Sequence, residues 1–484
     1  NATLSKMPAS VQRPVYDRSR LKPGILHIGL GNFHRAHQAW FVHSLMQRSE
    51  AMGWGIIGAG VRPADETRRQ QLSAQDYLTT LIKLDPAGCT AEIIGSMIGF
   101  VPVQQNNAAL IAQMSDPAIR IVSLTVTEGG YYVDPVHKGF DAGHPDINYD
   151  ALHPEQPGTA FGAMVEALKR RRAAGVPPFT GLSCDNLQGN GDILRQTLVS
   201  LARLSDPDHA TWIDAHVTFP NSMVDCIVPA TGSREIELAR TFGVEDAAPV
   251  THENFRQWVI EDKFCMGRPD LEKVGATFTD NVHDFEVMKI RILNGGHQLI
   301  ADAGEILSVE SISACMQDPS IGPFFNKVAK SEIVPHINPV PGMTPLNYVE
   351  LIDRRFSNPR IIDTVRRVAF DGSSRQTGFV LPTLREALAL QKPMDGLALS
   401  QAIWARMCEG SREDGSIIEP NDPFWPKLMD RARASKSDPQ AWLNQTELYG
   451  DLGDNALFRD RFHHWFNLIW SDGLEAAIQA YLKR

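Results

Sequence analysis

The chain has 484 residues, 43% hydrophobic and 21% charged, the proportions of a soluble globular protein too long for one core, so two or three domains are expected. Its 47 basic and 57 acidic side chains leave a formal net charge of -10, which gives no long-range attraction to nucleic acid or to an anionic membrane. No run approaches the roughly 20 apolar residues of a membrane helix, and the amino terminus lacks the basic and apolar pattern of a secretory leader.

Six cysteines (Cys89, Cys184, Cys226, Cys265, Cys315 and Cys408) are scattered without a close pair. That argues against a disulfide scaffold or a CxxC metal knuckle, and suits a reducing cytoplasm. After a polar, proline-containing arm, Ile25–Ile28 reads as a buried strand, Gly29-Leu30-Gly31-Asn32-Phe33 as a turn, and Ala36–Arg48 as a helix. Strand, glycine turn and helix in that order are what a dinucleotide pyrophosphate needs, because small residues let backbone N–H groups approach it. The motif is incomplete: His34 holds the third glycine position, and the neighbouring Arg35 offers either a phosphate contact or an ordinary surface charge.

Trp54–Val61 reads as the second strand, followed by Arg62, Asp65 and Glu66. Asp65 is the candidate acceptor for adenosine ribose hydroxyls, with a surface turn acid as the alternative; Arg62 leaves a phosphorylated cofactor open. Residues 69–118 alternate short strands and helical pieces. Ile119–Val126 is the clearest buried strand, and it runs into Glu128, where a working acid or a capping residue would sit. A proline-containing loop then leads to a helix over Thr159–Ala174, whose Lys169–Arg172 read as its wet face. Phe179–Cys184 is a further strand ending in Asp185 and Asn186, and an amide there donates to a carbonyl or a developing alkoxide. Asp225 closes another polar stretch, as an orienting or substrate-binding acid.

Around Asp284 the texture changes to long helical patterns, with helices expected over Asn294–Val309, Tyr348–Phe356, Asn358–Phe370 and Gly396–Cys408, and a polar turn at Asp371–Arg375. The pattern alone therefore separates an α/β region, ending at about residue 284, from a mostly helical region after it. A helical domain over the carboxyl edge of the sheet would bring Lys289, Asn294 and His297 near Asn186, in a junction cleft. Between the two halves, Lys289-Ile290-Arg291-Ile292-Leu293-Asn294-Gly295-Gly296-His297 concentrates a lysine, an amide and an imidazole around an apolar run. Burial disfavours an ammonium, which makes Lys289 a candidate general base; a surface lysine at a helix start is the plain alternative. On a straight α-helix Lys289 and His297 fall about 80° apart but Lys289 and Asn294 about 140° apart. The lysine therefore has a long reach or the helix is irregular there.

Lys289-xxxx-Asn294-xx-His297 resembles the signature of the long-chain mannitol dehydrogenase family, the polyol-specific long-chain dehydrogenases. The segments His27–Gln38, Leu124–Tyr131, Ser183–Leu187, Phe219–Asp225 and Asp371–Ser374 look like family blocks and recur in family order over most of the chain. The resemblance implies a Rossmann-type α/β parallel-sheet domain over 1–284, including the arm, and a mostly α-helical substrate-binding and catalytic domain over 285–484. It also implies a metal-independent oxidoreductase that interconverts a polyol and its ketose with NAD, NADP being the lesser choice. It makes Lys289 the base, has Asn186 and Asn294 hold the reacting oxygen, has His297 position substrate, and puts Glu128 on the route of proton exchange. Asp225, Arg367 and Arg375 take substrate-side places, and Gly29, Gly31, Asn32, Phe33, His34, Arg35 and Asp65 the cofactor side. Mannitol and fructose lead as the substrate pair, with sorbitol, arabinitol and the sugar acids mannonate and fructuronate as alternatives. A monomer is the family default. This chain departs at Arg375, where the mannitol enzymes typically carry lysine, and at Gly296, where serine is common.

Two other classes compete. A metal-dependent alcohol dehydrogenase would draw on His216, His252, His283 and His297, yet these form no compact ligand set in sequence. A nucleotide-binding module without catalysis predicts cofactor binding and no turnover.

Overall fold

A computed structural model describes residues 4–133 and 139–484. The chain divides into two compact units, Asn1–His283 and Asp284–Arg484.

The first unit is built on a five-stranded parallel sheet: β1 (Pro23–Ile28), β2 (Gly55–Ala59), β3 (Met97–Phe100), β4 (Ile121–Leu124) and β5 (Thr180–Ser183). The spatial order is β3-β2-β1-β4-β5. The chain first works outward from β1 to one edge, then returns to add β4 and β5 on the other side. This is the Rossmann-type order, with its reversal between β1 and β4. Alternate residues of β1 serve opposite faces, as strand geometry requires. Leu26 and Ile28 pack in a core with Phe161, Met164 and Leu198, while Ile25 packs in another with Phe41, Val42 and Leu45. Both faces are covered, which is why these strands read as continuous apolar runs.

Two smaller sheets complete the unit. One joins Val11–Gln12, Gly88–Ile94, Thr79–Asp85 and Val250–Glu253; the other joins Thr277–Phe278, Gln257–Ile260 and Ser222–Asp225. Three local expectations change. The helix expected over Ala36–Arg48 is two helices, Asn32–Ala36 and Gln38–Met46, broken at His37 (φ -114, ψ -92). The expected loop after residue 140 contains the helix Pro145–Leu152, with proline in its first turn, where the missing N–H costs nothing, and His144 capping the Asp146 N–H. Finally, Arg171 is not on a wet face. It is fully buried and donates to the carbonyls of Pro177, Met114, Asp116 and Ile119 at 2.7–3.1 Å.

The second unit is mostly helical, and every described strand lies in the first. Gly295–Ile306 is buried along almost its whole length; it packs on Asp395–Cys408, which packs on Ala456–Asp472. The helix expected over Asn358–Phe370 shrinks to Val365–Val368, capped by Thr364. Pro359 disfavours helical geometry at Asn358, and the Asp363 carbonyl is taken by the Ile312 N–H. The expected turn at Asp371–Arg375 is instead a helical turn, Gly372–Arg375, entered from a left-handed Asp371 (φ 61). Among the described residues there are three π-helical segments, Lys289–Asn294, Ala329–Ile333 and Gln376–Val380, the first in contact with both others.

Candidate functional site

In the first unit the polar residues singled out in the sequence gather beyond the carboxyl ends of the strands, where an open parallel sheet takes its ligands. Gly29 leaves β1 with φ +92, and a Cβ there would lie 2.0 Å from the Thr125 carbonyl oxygen. Only glycine allows the loops after β1 and β4 to approach so closely. Gly31 is different: a Cβ added to it would meet no atom within 4 Å. Its backbone therefore faces open space, which fits the approach of a cofactor pyrophosphate. The turn is rigidified from below. His27 is buried, with Nδ1 on Ser123 Oγ at 2.8 Å and Nε2 on Thr125 Oγ1 at 2.9 Å, and burial lowers its pKa to about 3. The His34 ring stacks on it at 3.5 Å and fills the place of the third glycine, and burial holds it neutral.

Arg35 departs from the expected phosphate contact. It is fully buried, and its guanidinium donates to the Ala248 carbonyl, Asn32 Oδ1 and the Gly31 carbonyl, so that it braces the turn. Asn32 is likewise engaged, donating to the Pro229 carbonyl at 3.0 Å and Thr231 Oγ1 at 2.9 Å. Phe33 stacks on His37. Asp65 follows β2 at the start of the helix Asp65–Ala74; one oxygen accepts from the Val61 and Arg62 N–H groups, and Oδ1 remains for a hydroxyl.

Glu128 opens the short turn Glu128–Tyr131; its side chain lies outside the described ones. The residue before it, Thr127, has φ 70. Positive φ is strained for a β-branched residue and is sustained only where the surroundings impose it. Here Asp185 imposes it: its carboxylate accepts from the Val126 and Thr127 N–H groups at 2.9 Å and from the Tyr131 hydroxyl at 2.7 Å. Sequence reasoning assigned Asp185 no role, although it directly precedes Asn186. Asn186 is exposed at the end of β5, and Asp225 is buried at the end of Ser222–Asp225. Asn190, also unassigned, clamps the two strand ends, donating to the Ser183, Asp185 and Ser222 carbonyls.

In the second unit Lys289 is buried and opens the π-helical segment Lys289–Asn294. The Gly295 N–H reaches back five residues to the Ile290 carbonyl. A π turn closes over one residue more than an α turn. The added residue reduces the angular offset between Lys289 and Asn294, so the helix is irregular where the straight-helix arithmetic fails. Gly295 makes the contact with the third π segment: a Cβ there would lie 3.3 Å from the Phe379 carbonyl oxygen.

Asn294 Oδ1 and His297 Nε2 are both buried without a described partner. Each such atom costs about 1–3 kcal/mol, so two of them three residues apart mark a place shaped for a polar ligand. His297 stacks on Phe356, and its pKa is lowered to about 4, first by burial, with Asp363 opposing and Arg367, Arg355 and Arg375 assisting. Arg367 is held by Asp363 through two hydrogen bonds of 2.8 and 2.7 Å. Arg375 donates to the Val368 carbonyl at 2.7 Å. Arg291 turns to Glu386 at 2.7 Å and the His336 carbonyl at 2.8 Å.

Among the described residues no group of three or more His, Cys, Asp or Glu side chains is arranged to hold a metal ion, and no helix is long and apolar enough to cross a membrane. Residues 23–273 match the mannitol dehydrogenase Rossmann domain, and residues 281–470 the mannitol dehydrogenase C-terminal domain. The chain belongs to the mannitol dehydrogenase family. Within that family it is 54% identical to a mannitol 2-dehydrogenase of Cereibacter sphaeroides over 476 residues, 98% of this chain and 100% of the relative. It is 38% identical to the Aspergillus terreus mannitol 2-dehydrogenase over 480 residues, 98% of this chain and 96% of that one. Among solved structures, Pseudomonas fluorescens mannitol 2-dehydrogenase, in ternary complex with NAD and D-mannitol, superposes with a TM-score of 0.90 at 37% identity, covering 100% of this chain and 99% of that one. A D-sorbitol dehydrogenase in substrate-free form superposes with a TM-score of 0.91 at 34% identity, covering 98% and 99%. The parallel-sheet nucleotide fold followed by a helical unit is thus the architecture of this family.

Proposed function

We propose that this chain interconverts D-mannitol and D-fructose with NAD, without a metal. Residues 1–284 carry the cofactor, and residues 285–484 supply the base and most of the substrate contacts. The observation that carries the reading is the π turn that narrows the angular offset between Lys289 and Asn294, beside the Asn294 Oδ1 and His297 Nε2 atoms, which have no partner among the described residues. NAD, when bound, accepts hydride from the alcohol carbon. Gly29 and Gly31 would admit its pyrophosphate and Asp65 Oδ1 a ribose hydroxyl.

The protein's own part is acid–base and electrostatic. Lys289 takes the proton of the reacting hydroxyl and returns it to the ketose in the reverse direction. Asn186 and Asn294 hold the reacting oxygen while negative charge develops on it. His297, neutral above its lowered pKa of about 4, meets a neighbouring substrate hydroxyl through Nε2. Glu128 passes the proton on to solvent, and Asp225, Arg367 and Arg375 bind the remaining hydroxyls. A polyol is favoured over a sugar acid because Arg291 and Arg367 already pair with Glu386 and Asp363. A substrate carboxylate would have to displace those partners. The chain works as a monomer, the family default, and in the cytoplasm, where its six free cysteines suit the reducing conditions.

The test is a scan of NAD- and NADP-dependent oxidation of mannitol, sorbitol, arabinitol and mannonate, with size-exclusion chromatography alongside. NAD-linked turnover highest with mannitol is expected. Turnover confined to mannonate would move the protein to the sugar-acid branch, and cofactor binding without turnover would make it a binding module.

A further inference from the structure

The aim of a working histidine is ordinarily fixed by a hydrogen bond on one ring nitrogen. The Nε2 atom of His297 is buried and has no such bond among the described residues. What touches the ring is aromatic. It stacks on Phe356 with centroids 4.2 Å apart and planes 17° apart. Phe356 meets Phe325 at 5.6 Å and 50°. Phe325 then covers Gly296, where an added Cβ would lie 2.5 Å from its Cε2 atom. The column therefore begins and ends on neighbouring residues of one helix, Gly296 and His297. Both phenylalanines are buried, and the helices that carry them, Ile321–Val328 and Pro345–Phe356, are tied by Asn326 donating to Asp353 at 2.7 Å.

We propose that Phe356, backed by Phe325 in the space left by Gly296, is the positioning residue that aims the His297 imidazole at substrate. The inference rests on the reading of His297 as a substrate-positioning group. The stack supplies orientation without using either nitrogen, leaving Nε2 for a hydroxyl. It also covers one face of the ring against water, which adds to the burial that keeps the imidazole neutral. The charged groups around the ring are Asp363, Arg367, Arg355 and Arg375. The three arginines already oppose a proton on it, so loss of the aromatic cover acts mainly through water entry.

The experiment compares Phe356→Leu, Phe356→Tyr, Gly296→Ala and the double variant Gly296→Ala/Phe325→Leu, with His297→Asn as reference. The readouts are NADH affinity, kcat/KM for mannitol against pH, and the His297 ring titration by NMR. Phe356→Leu should lower kcat/KM about tenfold with NADH affinity unchanged. It should also add an acid limb, as the ring pKa rises from about 4 toward 6.5. Phe356→Tyr should retain activity and titration. Gly296→Ala should reproduce the Phe356→Leu defect, and Phe325→Leu should relieve it in the double variant. Wild-type activity and ring titration in Phe356→Leu would overturn the proposal, as would a tyrosine variant as impaired as the leucine one. If His297→Asn itself turned over mannitol at the wild-type rate, the assignment of His297 would fall, separately from the stack.

Discussion

Gly29 and Gly31 stand two residues apart in the same turn, and the structure assigns them opposite sensitivities. At Gly29 an alanine must adopt φ +92, a conformation that costs a side-chain-bearing residue about 1–3 kcal/mol. Its Cβ would also sit 2.0 Å from the Thr125 carbonyl oxygen, where ordinary contact begins at 3.4 Å. The β4 loop would have to retreat by more than an ångström, an overpacking cost of about 1–3 kcal/mol. The sum, about 4 kcal/mol, corresponds to a fall in melting temperature of roughly 8–16 °C. At Gly31 the same methyl meets nothing and needs no unusual φ, so the fold should be untouched. The open space is the proposed path of the pyrophosphate, however, and Gly31→Ala should weaken NADH binding at least about tenfold, or 1.4 kcal/mol. Thermal melting and NADH fluorescence titration of both variants read these effects. A Gly29→Ala protein as stable as wild type would refute the close-approach argument. A Gly31→Ala protein that binds NADH normally would refute the placement of the cofactor over this turn.

Further consequences concern buried charge. Arg171→Met removes the donor shared by four carbonyls and should cost about 3–5 kcal/mol in chemical denaturation, whereas exposed Arg172→Ala should stay within about 0.5 kcal/mol. Asp302, whose Oδ2 accepts from Gln376 at 2.8 Å, has its pKa raised well above the ordinary value by burial. The folded protein thus holds that proton longer than the unfolded chain, and stability present at low pH is lost as pH rises through the folded pKa. Asp302→Asn keeps the acceptor and cannot ionise, so its melting temperature should gain on wild type between pH 5 and pH 9; a pH-independent difference would contradict this. His27 and His252 shift the other way, each lowered to about 3 by burial. Their contribution is complete above pH 6.5 and declines as pH falls toward 3, so urea midpoints should drop between pH 7 and pH 4.5, and less so in His27→Gln.

The fold class was legible because its signals are local and repeated. Apolar runs at Ile25–Ile28 and Ile119–Val126, each followed by a polar turn, mark strands covered on both faces, and the helical texture after Asp284 marks a different architecture. What the sequence concealed depends on partners distant in the chain. Arg171 and Arg35 look like surface charges until the carbonyls they serve are brought to them by the fold. Asp185 and Asn190 sit beside the candidate Asn186, but their roles rest on contacts with the β4 loop and with Ser222. Prolines misled in both directions: Pro145 starts a helix, while Pro359 prevents one. The π turn at Lys289 left only an indirect trace, the mismatch between Lys289 and Asn294, because one extra residue barely disturbs apolar periodicity.

On the proposed mechanism, Lys289 removes the proton of a polyol hydroxyl as NAD takes up hydride. The direct test is kcat/KM for NAD-linked mannitol oxidation by Lys289→Ala, with NADH affinity measured on the same preparation. A loss of about 10²–10⁴-fold is expected, as for removal of a general base, with NADH affinity retained. Undiminished turnover by Lys289→Ala would contradict it.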